Sequence, residues 1–66
     1  MLSRVMCPRG RVLAEFYLHR GDVCWRVHRH DDVRGDGERI ADGLAELLQV
    51  SHEVAYAMIF KAGRVI

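Results

Sequence analysis

The chain has 66 residues, half of them hydrophobic, ten basic and nine acidic, for a net charge of +1. That is enough for one small domain and too apolar for a disordered segment, and no run approaches the roughly 20 apolar residues of a membrane span. The N-terminus lacks the apolar run of a signal peptide, so a cytoplasmic protein with two free thiols is expected.

Residues 2–6 predict a short strand, and Pro8-Arg9-Gly10 a turn. Arg11 to His19 is the clearest strand. A period of two puts Val12, Ala14, Phe16 and Leu18 on one face and Leu13, Glu15, Tyr17 and His19 on the other. Arg20-Gly21-Asp22 predicts a hairpin connection, with glycine available for positive φ. Val23 to Arg29 returns, with Val23, Trp25 and Val27 on one face and Cys24, Arg26, His28 and His30 on the other. Residues 31–37, DDVRGDG, read as the polar loop into a helical segment.

In that segment Ile40, Leu44, Leu47 and Leu48 recur at helical spacing, and Glu38, Asp42, Glu46 and Gln49 fall elsewhere on the wheel. Asp36 is the expected N-cap. Gly43 inside the helix costs about 1 kcal/mol relative to Ala, so it is either tolerated or marks a close approach. Beyond Leu48 two readings stand. In one, Gln49-Val50-Ser51 is a turn, Ser51 caps a second helix from His52 to Lys61, and Gly63 follows it. In the other, Ile40, Leu44, Leu47, Ser51, Val54 and Met58 form the seam of one long helix. The expected fold is α+β in a single domain, 1–66. A small antiparallel hairpin or three-strand meander in residues 1–30 packs on one long or two short helices in residues 36–62.

Charge divides along the chain. Residues 1–34 carry seven arginines against four acids; residues 35–66 carry three bases against five acids. A nucleic-acid or other anionic contact would more naturally use the N-terminal half. Nine of the ten bases are arginine, a usage typical of GC-rich bacterial and phage genomes.

Leu44-Ala45-Glu46-Leu47-Leu48-Gln49-Val50-Ser51-His52-Glu53-Val54-Ala55-Tyr56-Ala57-Met58-Ile59 resembles the helix-turn-helix of excisionase-like and MerR-like DNA-binding proteins. Ala45 holds the small position at the helix crossing, Val50 the apolar turn position and Ser51 the cap. Gln49 stands where those families place glycine, and Gly63-Arg64 would open a wing. The resemblance, over residues 44–64, implies a small dimeric DNA-binding regulator. His52, Glu53, Tyr56 and Lys61 would then face the bases and backbone, with Arg64 and Arg39 on phosphates. A second expectation comes from the apolar run VAYAMIF. A homo-oligomeric protein-interaction module would use Tyr56, Met58, Ile59 and Phe60 as anchors.

Residues 7–15, CPRGRVLAE, resemble the first knuckle of small zinc ribbons without its second cysteine. Cys24, His28 and His30 are the residues that would complete four ligands with Cys7. The spacing is loose and no metal or cofactor is assigned. No phosphate-binding glycine loop and no nucleophile–base pair is legible, so a non-enzyme is expected.

Overall fold

The computed structural model describes residues 1–28 and 33–60, apart from the side chains of Val33 and Arg34. Strands β1 (Ser3–Met6), β2 (Val12–His19) and β3 (Asp22–Val27) form one antiparallel meander in the order β1-β2-β3. Helices α1 (Val33–Leu48) and α2 (His52–Phe60) follow. This is the expected α+β class, with three strands and two helices.

The β2–β3 turn is Arg20-Gly21, closed by the pair His19–Asp22. Both residues have positive φ, 52° and 83°. That is the backbone of a type I′ turn, whose twist matches the flanking strands.

The β1–β2 ladder departs from the expected alternation. Val5 pairs with Ala14 but Met6 pairs with Val12, so Leu13 is one residue too many. This bulge turns Leu13 into the core, where it is fully buried beside Ala14 and Phe16. The expectation that Leu13 faces away with Glu15 is therefore corrected. Leu18 is corrected in the opposite sense. It shares the Phe16 face but is 61% exposed.

The core joins Leu13, Ala14, Phe16 and Trp25 from the sheet to Ile40 and Leu44 from α1 and Ala55 and Ile59 from α2. Each of the larger side chains adds about 1.5–3 kcal/mol on burial. Helix α1 lies on β1 and β2, and α2 packs along α1. A Cβ at Gly43 would come within 2.6 Å of Val5 Cγ2. Gly43 therefore marks the place where α1 sits closest on the strand.

Helix α1 begins at Val33, so Asp36 is not its N-cap. It lies within the first turn, where the macrodipole favours an acid, and is only 6% exposed. The helix ends as the two-helix reading expects. Gln49 takes φ +58°, and Val50 N–H donates to the Ala45 carbonyl at 3.1 Å, which is a Schellman closure. Helix α2 then starts on its cap: Val54 N–H donates to Ser51 Oγ at 3.2 Å. The single-helix seam is overturned, because Ser51 stands at the junction.

Candidate functional site

The short turn folds α2 back beside α1 and brings His52 over one face of α1. Its Nε2 lies 2.6 Å from Glu38 Oε2, and its Nδ1 lies 2.6 Å from Asp42 Oδ1. Glu38 and Asp42 are one helical turn apart, which is why one ring reaches both. A ring that donates from both nitrogens is an imidazolium. Its pKa is raised, first by the hydrogen bond to Asp42, against a desolvation cost, and further by the charge of Glu38. Tyr56 stacks one turn further along, 6.1 Å from His52 and 4.8 Å from Phe60 between ring centroids. The Tyr56 and Phe60 rings also lie over the backbone of Gly37.

Of the residues expected to touch nucleic acid, His52, Glu53 and Tyr56 do come together, lining one shallow pocket with Glu38. Among the described residues its rim carries the carboxylates of Glu38 and Glu53 and, as a cation, His52. A phosphate backbone would be repelled there. Arg39 lies elsewhere, in the groove between α1 and β1. Lys61 and Arg64 lie outside the described residues.

The expected interaction anchors also separate. Ile59 is 2% exposed and belongs to the core, because it follows Ala55 by one helical turn. Met58 is half-buried against the same core, and Tyr56 is held between its two ring neighbours. Phe60 remains 38% exposed. Val54, not among the expected anchors, is 48% exposed. Its place on the wheel, off the Ala55–Ile59 stripe, was the available signal.

The other surface is the sheet face turned away from the helices. Register places Arg4, Glu15 and Arg26 in one row across all three strands, with Tyr17 opposite Cys24 in the next. Glu15 Oε1 lies 2.8 Å from His28 Nε2 and receives a long hydrogen bond from the Tyr17 hydroxyl at 3.5 Å. The His28 bond holds the Glu15 carboxyl below its ordinary pKa. The Arg26 guanidinium lies 5.9 Å from the centre of the Tyr17 ring, a cation–π distance.

Charge therefore separates by layer. Residues 1–28 carry five arginines against Glu15 and Asp22, a net +3; residues 33–60 carry two arginines against five acids, a net −3.

Cys7 sits in a tight turn in which Gly10 N–H donates to its carbonyl and Arg11 N–H to its Sγ at 3.4 Å. The Arg11 amide is the main reason the thiol pKa is lowered. The turn has the N–H-to-sulfur bonding of a knuckle, but its expected co-ligands are not gathered. His28 is paired with Glu15, Cys24 lies on the open sheet face, and His30 is outside the described residues. No group of three metal-ligating side chains converges among the described residues. No helix among them is long and apolar enough to cross a membrane. The chain matches no known family, no curated protein and no solved structure.

Proposed function

We propose that the chain is a small, non-enzymatic, dimeric nucleic-acid-binding regulator whose basic sheet face, rather than α2, meets the phosphates. The separation of charge carries this reading: +3 on the sheet segment against −3 on the helices. The break between α1 and α2, with its Gln49 turn and Ser51 cap, supports the broader class through the helix-turn-helix resemblance of residues 44–64. The acids around His52 turn the contact toward the sheet, where Arg4 and Arg26 stand in one row on either side of Glu15 and Arg26 lies against the Tyr17 ring. Cationic side chains interleaved with an aromatic suit a sugar–phosphate backbone and an unstacked base.

The test is fluorescence anisotropy with mixed-sequence duplex and single-stranded DNA across a salt series. Each phosphate contact removed lowers the slope of log K against log salt by about 0.9 on duplex. An R4A/R26A variant should bind more weakly and lose about two such contacts. If its slope is unchanged while His52→Ala and Tyr56→Ala abolish binding, α2 is the reading element and the sheet assignment is wrong.

One observation favours a second reading. Val54, beside Glu53, and Phe60, at the end of the His52–Tyr56–Phe60 stripe, are the exposed large apolar residues described in α2. Exposed apolar side chains with acidic neighbours suit a basic amphipathic helix of a protein partner. Under that reading the wild-type chain ignores DNA at low salt, and Phe60→Asp abolishes capture of a Lys/Leu amphipathic test peptide.

A further inference from the structure

We propose that two copies of this chain pair through the free edge of β1, with a two-fold axis at Val5, to form one six-stranded antiparallel sheet. The inference rests on the dimeric reading above and names its interface.

Two edges are available, β1 and β3. Six large apolar side chains are exposed among the described residues, and three of them, Met1, Leu2 and Met6, lie on or beside β1. Strand β1 contains no proline, and the extra residue of its ladder belongs to β2, so its own backbone runs straight. An uncovered edge of this kind is a template for another strand. Strand β3 is better guarded: its exposed positions are Asp22 and Arg26, and its apolar residues Val23, Trp25 and Val27 all contact the core.

Register follows from charge. A two-fold axis perpendicular to the sheet pairs residues of the same face. Centring it on Arg4 would set two guanidiniums opposite each other, which destabilises a ladder. Centring it on Val5 places Arg4 opposite Met6 of the other copy, and Val5 opposite Val5 on the helix-covered face.

The helices then decide for a second copy over any other strand. Helix α1 crosses Val5 at Gly43. An axis at Val5 therefore runs the two α1 helices antiparallel about Gly43. Arg39, four residues before Gly43, comes level with Glu46, three residues after it, on the other copy. Both side chains line the groove beside β1, and neither has an ion-pair partner among the described residues. Spacing agrees. Strands lie about 4.8 Å apart, and α1 rests over β1 and β2. The two helices would stand about 10 Å apart, which is a helix-packing distance.

The test is the mass of the full chain in solution, by sedimentation equilibrium at moderate salt. The wild type should approach twice 7.6 kDa. Arg39→Glu and Glu46→Arg should each raise the dimer dissociation constant by about tenfold, since symmetry loses each pair twice and adds repulsion. The double variant R39E/E46R should return to within about twofold of wild type. Met6→Lys, at the edge itself, should yield a folded monomer by circular dichroism. A wild type that stays monomeric at every concentration overturns the dimer and this interface together. A dimer that survives Arg39→Glu and Met6→Lys but dissociates on Phe60→Asp overturns only the β1 interface. Failure of the charge swap to rescue overturns the Val5 register.

Discussion

Replacing Gly43 by alanine sets two known effects against each other. Alanine favours a helix interior by about 1 kcal/mol over glycine. Its methyl, however, would stand 2.6 Å from Val5 Cγ2 and 3.5 Å from a ring carbon of Phe16. The first distance is far inside van der Waals contact. Valine is branched at Cβ and stiff at χ1, so the clash is not relieved by swinging a flexible tip. Overpacking of this kind costs about 1–3 kcal/mol. The net for Gly43→Ala is a loss of about 1 kcal/mol, or roughly 4–8 °C in Tm for a chain of this size. Val5→Ala alone removes two half-buried methyl groups and costs about 1 kcal/mol. In the double variant the clash disappears and the helix gain remains, so the two losses should not add. Coupling of about 1–2 kcal/mol in the stabilising direction is expected. Urea unfolding followed by the fluorescence of Trp25, the chain's one tryptophan, measures all four proteins at one fixed concentration. If Gly43→Ala alone is more stable than wild type, α1 does not sit on Val5 and the packing argued above is wrong.

Other expectations follow from the helix junction and the open face. Gln49→Gly should stabilise the chain by about 0.5–1 kcal/mol, because a positive φ costs a side-chain-bearing residue about 1–2 kcal/mol and glycine recovers most of it; the loss of the Gln49 Nε2 bond to the Glu46 carbonyl works against the gain. Ser51→Ala removes the α2 cap and should cost about 1 kcal/mol in the same unfolding assay, and Ser51→Asp should retain the cap. The His52 pKa is raised above its ordinary value of 6.5. Its contribution is complete below that value and is lost as pH rises through the elevated one. A His52→Gln variant should therefore lose stability relative to wild type at pH 5 and less at high pH, and a pH-independent difference would count against the paired imidazolium. Glu15, with a lowered pKa, acts in the opposite sense: its share is complete above its ordinary value of 4.5 and fades as pH falls through the depressed one, so His28→Ala should flatten the acid limb of the stability curve.

Much of the fold was legible because it is encoded locally. The alternation in residues 12–19, the Arg20-Gly21 turn and the Ser51 cap each depend on neighbours a few positions away. The misread positions depend on partners distant in the chain. Leu13 turns inward because of how β2 pairs with β1, which no periodicity in β2 reveals. Leu18 is exposed although it shares the Phe16 face, a difference that alternation alone does not carry. The start of α1 was missed because Gly35 and Gly37 read as loop residues. At the site, the stripe His52–Tyr56–Phe60 could be drawn on a helical wheel. That it faces Glu38 and Asp42, and so becomes acidic, required the angle between two helices. The same geometry left Arg39 in a different groove from His52, although both had been expected to serve one ligand.

The bulge at Leu13 also bears on how this chain can vary in length. Removing that one residue would leave Val5 opposite Ala14 and Met6 opposite Val12 in an unbroken ladder, with β1 still in step with β2. Arg4 and Val5 would keep their sides, and the cost would be the space left by the fully buried Leu13 side chain. A single-codon deletion there would thus keep the register of the sheet and empty part of the core. Homologues, when aligned, should therefore conserve the length from Val12 to His19 more strictly than the side chains on its outer face.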